Sequence, residues 1–209
     1  MKLQTFSKTV LFLAVLKGIF VLSLILSLVL WSIPILSLNS DVWRIFQQRS
    51  DVVLDENTTN YNELIVDFFR TGLKLEFLNE KEFRHMQDVR TVITIVNILF
   101  VFSFLSLVSG FSYLSKKQKQ FLIKAVRRTS SFVFIITLLF SLVIFLNFNI
   151  AFLSFHKIFF VKNFIFPANS LLKTLYPDEF FFGLSAFYLL SVLIVSLVVL
   201  IISHKLKLK

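Results

Sequence analysis

The chain has no cysteine among its 209 residues. Disulfides, thiolate metal centres and cysteine nucleophiles are therefore excluded. Glycine (4) and proline (3) are nearly as scarce, which argues against disordered or low-complexity linkers. Charge is thin as well. Charged residues make up 16% of the chain against 56% hydrophobic, and mean hydropathy is +0.82. That balance is not the composition of a soluble domain. No internal repeat is visible.

What is present is apolar and continuous. Four runs stand out: Gly18–Leu38, Val92–Leu114, Phe132–Phe155 and Phe180–Ile202. A bilayer core of about 30 Å needs about 20 apolar residues as helix, so each run predicts one span. The expectation is an all-α membrane protein with four transmembrane helices, in one integral domain over residues 1–209. A cleaved signal peptide does not fit the first run, which is too long and has no small-residue cleavage site after it. No Asp, Glu or His lies mid-span, which speaks against an ion-coupled transporter. Lys17 reads as a side chain snorkelling at the inner boundary.

The net charge of +10 admits nucleic acid or acidic lipid as a partner, and its distribution selects lipid. Residues 1–17 carry Lys2, Lys8 and Lys17. Residues 115–131 carry Lys116, Lys117, Lys119, Lys124, Arg127 and Arg128, and residues 203–209 carry Lys205, Lys207 and Lys209. None of these segments holds an acid; all 12 acidic residues fall in 39–91 and 156–179. Lysine-rich, acid-free segments belong in the cytoplasm. Both termini and 115–131 are thus expected inside, beside anionic lipid, and 39–91 and 156–179 outside. No nucleic-acid partner is expected.

The first outer segment, 39–91, is too long for a bare connection. Tyr61, Leu64, Ile65, Phe68 and Phe69 form a helical stripe. Such a helix either lies on the lipid surface or packs on the other outer segment. Asp41–Phe46, Asp51–Leu54 and Leu73–Leu78 are rich in valine, leucine and aromatics and are read as short strands. Asn79 is a suitable N-cap with Glu82 at N3, and the helix should run unbroken into the second span. His85 then stands about two turns, ~10 Å, above the apolar run, at headgroup depth. Asp88, three residues on, shares its face. Its carboxylate either orients the imidazole or pairs with Arg84. Glu82 is either a helix cap alone or part of the same site. His156, in Phe155-His156-Lys157-Ile158-Phe159-Phe160, leaves the third span at the same outer boundary. His204, in the basic tail, reads as filler. The phenylalanine-rich third loop reads as dipping into lipid. Pro177 followed by Asp178 and Glu179 suits the start of the fourth helix.

Two sets of residues resemble a known family. They are Glu82-x-x-His85-Met86-x-Asp88-Val89-Arg90, and Phe155-His156-x-Ile158-Phe159-Phe160 with Phe166-Pro167-x-x-Ser170-Leu171-Leu172 and Tyr176-Pro177-x-x-Phe180. They are similar to motifs of the bacterial four-helix membrane proteins that include lipoprotein intramolecular transacylases. The resemblance covers most of the chain and implies a protein of the bacterial cell membrane. The implied reaction moves the sn-2 acyl chain of a diacylglyceryl lipoprotein onto the α-amine of its N-terminal cysteine, with no cofactor and no metal. The implied partners are that lipoprotein and membrane lipid. The resemblance further implies His85, oriented by Asp88, as general base, and His156 as the group that protonates the leaving oxygen or stabilises the oxyanion, with the order interchangeable. Arg84, Arg90, Glu82 and Tyr176 are the implied substrate contacts. Imidazole suits either proton role near neutral pH.

Two other classes remain open from the residues. A metal-dependent membrane hydrolase or protease would draw on His85, His156 and a carboxylate, although no H-E-x-x-H pattern occurs and at least three ligands are needed. A non-catalytic membrane scaffold would need neither imidazole.

Overall fold

The computed structural model of the chain describes residues 2–160 and 164–206, with side chains from residue 10 onward. The side chains of Lys2 and Lys8, all of Lys207 and Lys209, and the loop step 161–163 lie outside the described residues. The described residues form nine helices: α1 (Lys2–Leu30), α2 (Ile33–Ser37), α3 (Ser40–Gln48), α4 (Glu56–Thr71), α5 (Glu80–Lys117), α6 (Lys119–Leu146), α7 (Phe148–Phe159), α8 (Leu171–Leu175) and α9 (Asp178–Lys205). Four stretches are long and apolar enough to cross a membrane: Val10–Ser37, Glu80–Lys117, Lys119–Leu146 and Asp178–Lys205.

The expected short strands are absent among the described residues. Asp41–Phe46 lies within α3. The Asn39 side chain accepts from the amides of Asp41 and Val42, and Trp43, Phe46 and Gln47 are buried at helical spacing. A capped start and a period near 3.6 outweigh the valine and aromatic content. Asp51–Leu54 and Leu73–Leu78 are irregular. The Leu78 amide turns back to the Leu75 carbonyl at 3.3 Å instead of pairing with a neighbouring strand.

The run read as one span over 132–155 is divided. α6 ends at Leu146, and the Asn147 side chain accepts from the Ile150 amide to start α7. A carboxamide that takes a backbone N–H competes with continuation of the helix. The segment 115–131 is helical, with two helix ends meeting at Gln118. Its amide donates to the Leu114 carbonyl (2.7 Å) and its carbonyl accepts from the Leu122 amide (3.0 Å).

The helical stripe of 61–69 is present in α4, turned slightly from expectation. Ile65, Phe68 and Phe69 are buried, as are Asn62 and Val66, while Leu64 faces out. α4 opens on Asp55, which accepts from the Thr58 amide (2.7 Å). It closes on Gly72 at φ +83°, a conformation that glycine adopts without strain.

The chain divides into two compact units. The first comprises Met1–Trp31, Ile98–Leu138 and Val192–Lys209. Here Phe20 packs where Gly110 has no side chain, since a Cβ on Gly110 would stand 3.0 Å from the ring. Ser23 bonds Ser106 (3.0 Å) and Ser27 bonds Ser103 (3.3 Å). Lys17 holds its ammonium over Phe121, 4.9 Å from the ring centre. The second comprises Ser32–Asn97 and Leu139–Ser191. Its core gathers Trp43, Phe46, Ile65, Phe68, Phe69 and Phe180 with other apolar side chains, each full burial contributing about 1.5–3 kcal/mol.

Candidate active site

A cavity of about 500 Å³ lies within the second unit, and its walls are almost wholly apolar. α5 supplies His85, Met86, Val89, Val92 and Ile93 to it, the i, i+1, i+4, i+7, i+8 stripe of one helix face. α7 supplies Phe152 and His156, and the α8–α9 segment supplies Lys173, Tyr176 and Phe180.

His85 and His156 meet here. Their ring centres are 6.0 Å apart and their planes differ by 25°. Phenylalanines enclose them: Phe160 and Phe166 stand 4.9 and 5.3 Å from His85, and Phe152 stands 4.2 Å from His156. The His156 Nδ1 lies 2.8 Å from the Phe152 carbonyl. A carbonyl only accepts, so Nδ1 carries the proton and Nε2 keeps its lone pair. His85 is 7% exposed, and its buried Nδ1 has no hydrogen-bond partner among the described residues. The helix segment around it, Glu80–Arg90, is rich in charge and precedes the apolar run that begins at Val92.

Burial favours the neutral form of both rings. It holds His85 down to about 4, with a smaller contribution from His156. It also holds His156 below the ordinary imidazole value. The Phe152 carbonyl opposes that shift, Lys173 adds to it, and Asp178 opposes it again.

The other expected site residues are distributed differently. Asp88 does not orient His85. It is exposed, and among the described residues it makes no hydrogen bond or ion pair. The cause is helix phase: at i+3 from His85 it falls beyond the edge of the stripe that faces the cavity. Nor does Arg84 take Asp88; it bonds Glu80 at 2.9 Å from the exposed face. Arg90 stands over Phe68, 5.8 Å from the ring centre, with its guanidinium against Gly72.

Glu82 is 2% exposed. One carboxylate oxygen accepts from the Asn79 amide and the other from the Leu172 amide, each at 3.2 Å. The Asn79 side chain in turn accepts from the Glu82 amide at 3.0 Å. The capping box expected from the sequence is therefore formed, and its free oxygen ties α5 to α8. The Tyr176 ring lines the cavity, but its hydroxyl turns away and donates to Asn62 Oδ1 at 2.7 Å. Asn62 and Gln47 complete that buried network, with Asn62 Nδ2 donating to Gln47 Oε1 (2.6 Å) and Gln47 Nε2 to the Leu175 carbonyl (2.9 Å).

Sequence reasoning missed Lys173, Gln47 and Asn62. Glu82 carried a legible signal of its burial, because it precedes Met86 by four residues and Val89 by seven. No group of three or more His, Asp or Glu side chains among the described residues is arranged to hold a metal ion.

These features define an all-helical membrane protein with four helices able to span and two facing imidazoles in an apolar cavity. A family model described as lipoprotein intramolecular transacylase Lit matches residues 10–181. The chain belongs to that family. Among solved structures, lipoprotein intramolecular transacylase Lit from Bacillus cereus matches with a TM-score of 0.81 at 16% identity, over 92% of this chain and 94% of that one. The same Bacillus cereus protein with its H85R mutation matches with a TM-score of 0.77 at 15% identity, over 98% of this chain and 96% of that one. With its H85A mutation it matches with a TM-score of 0.72 at 16% identity, over 92% of each chain. No curated protein matches.

Proposed function

We propose that this chain transfers the sn-2 acyl group of a diacylglyceryl lipoprotein to the α-amine of the same molecule's N-terminal cysteine, on the outer side of the bacterial cell membrane. The observation that carries the reading is the approach of two imidazoles to 6.0 Å on one apolar cavity of about 500 Å³. Apolar walls suit an acyl chain. The imidazoles suit the ester and amine at its head. Closure by phenylalanine limits the entry of water and hence hydrolysis.

The step balances without a cofactor. The amine nitrogen attacks the ester carbonyl carbon; a C–N bond forms and the C–O bond to glycerol breaks. The proton that leaves the amine passes to an imidazole and returns on the glycerol oxygen. Ester to amide is downhill, so no energy source is required. Positioned proton transfer contributes about 10²–10⁴-fold, and attack within one bound molecule adds more.

The tautomer fixed at His156 supports it as the base, through Nε2, which reverses the order first expected. His85, neutral at working pH, then donates a hydrogen bond to the developing oxyanion and relays the proton to the leaving oxygen. Glu82 and Tyr176 support the walls. Arg84, Asp88 and Arg90 are proposed to meet headgroup or lipoprotein outside the cavity. Residues 1–17, 115–131 and 203–209 are proposed as cytoplasmic, supported by the lysine and arginine asymmetry. Because the chain has no cysteine, single cysteines test this directly. Asn60→Cys should react with an impermeant thiol reagent in intact cells and Gln118→Cys should not; the opposite pattern overturns the orientation.

The activity is tested by mass spectrometry of lipoprotein N-termini in a bacterium that cannot N-acylate by another route. The N-acyl, monoacylglyceryl form should appear with the wild-type chain and vanish with His85→Ala or His156→Ala. If it never appears, the transfer reading fails. If it persists in both variants, the assignment of the imidazoles fails. Release of free fatty acid in place of the N-acyl form, abolished by chelation, would favour the metal-dependent hydrolase.

A further inference from the structure

We propose that Lys173 and Asp178 are positioning residues of this site, a tied cation and anion whose balance keeps the His156 imidazole and the substrate's amine neutral and able to react. The proposal rests on the transacylase reading above. Lys173 lines the cavity with both histidines. Among the described lining residues it is the one lysine, arginine or carboxylate in a wall otherwise built of apolar and neutral polar side chains. Its ammonium is paired with the Asp178 carboxylate.

Both ends of the pair are fixed by backbone. Ser170 caps α8 by accepting from the Lys173 amide (3.3 Å), and the Pro177 carbonyl accepts from Phe180 (3.1 Å) at the start of α9. The side chains are 33% and 46% exposed. An ion pair so close to solvent contributes little to stability, yet it stands where the ester and amine would lie.

Among the described residues, the other charges around His156 are accounted for. His85 faces it from α5, and Lys157 on its own helix is exposed. Lys81 is held by the Ile165 carbonyl and Glu82 by two amides. Lys173 and Asp178 are thus, among the described residues, the pair that sets the local charge. A free α-amine has a pKa near ~8 and must lose its proton before it attacks. A nearby cation disfavours ammonium and imidazolium alike, and a nearby anion favours them. Each charge therefore offsets the other: Asp178 alone would hold the amine and imidazole protonated, and Lys173 alone would leave the imidazole too weak a base.

The test is kcat/KM against pH for the purified full-length chain in lipid vesicles. The substrate is a synthetic diacylglyceryl-cysteine lipopeptide, with the N-acyl product read by mass spectrometry. Lys173→Gln leaves Asp178 unopposed, so the rising limb should move up by about one pH unit. Activity should fall about tenfold on that limb and recover at alkaline pH. Asp178→Asn should move the limb the other way. Lys173→Arg should match wild type, and the double variant K173Q/D178N should return near it. A pair that only fastens α8 to α9 would lower activity equally at every pH, with the double variant no better than the singles; that pattern overturns the proposal. An inactive wild-type chain would instead overturn the transacylase reading itself.

Discussion

Glu82→Gln isolates what holds the cavity wall in place. The carboxylate is buried and accepts two backbone amides from different elements, Asn79 and Leu172, each at 3.2 Å. Glutamine keeps the volume but replaces one oxygen with an NH₂ donor, so one of the two amides faces another donor. Losing that hydrogen bond and leaving a buried N–H unpaired costs about 2 kcal/mol. The Asn79 amide lies three residues away on the same turn, whereas Leu172 is 90 residues distant. The penalty therefore falls on the docking of α8. At about 1.4 kcal/mol per factor of ten, protection of the Leu172 amide should drop about thirtyfold. Hydrogen exchange read by mass spectrometry over 171–176 measures this, with α9 as the internal reference. Transacylation should fall too, because Lys173 and Tyr176 ride on the released segment. Glu82→Ala, which also leaves a void, should lose more. Unchanged exchange across 171–176 in Glu82→Gln would refute the reasoning.

Because burial holds both imidazoles below the ordinary value, the His85 and His156 rings should titrate below about pH 6.5 when followed by NMR; titration at or above that value contradicts the neutral pair. The same shift links to stability. The unfolded chain binds protons at these histidines before the folded one does, so stability is full above about pH 6.5 and declines as pH falls towards about 4, measurable as a falling melting temperature. Gly72→Ala should destabilise by about 1–2 kcal/mol, since φ is +83° and a Cβ would stand 3.0 Å from the Arg90 guanidinium carbon; an unchanged melting temperature would contradict it. Ala151→Phe, which narrows the cavity from α7, should shift the transferred acyl groups to shorter chains in the product mass spectrum, and an unaltered distribution would show that the chain lies elsewhere.

The long-range part of the site was the least legible in the sequence. The spans, the Asn79–Glu82 cap and the common depth of His85 and His156 follow from local periodicity, run length and charge, and a single sequence carries those signals. The third span was read through to Phe155 because hydropathy does not register one carboxamide, although Asn147 turns the chain there. Trp43, Phe46 and Gln47 had helical spacing, but short aromatic and valine-rich segments drew a strand reading. Asp88 falls outside the cavity stripe by helix phase, by less than half of one residue's rotation. The Gln47–Asn62–Tyr176 network joins residues 15 and 114 positions apart, and Lys173 enters the cavity only once α8 docks on Glu82. No local pattern announces either.

α7 carries His156 yet has no buried residue. One face lines the cavity, and the other presents Ile150, Leu153, Ile158 and Phe159 outward. Among the described residues, little of the protein covers that outward face, so α7 is held mainly from its cavity side. One imidazole thus sits on a helix turn seated in the core and the other on a helix held from one side, and the 6.0 Å between their ring centres depends on that one-sided contact.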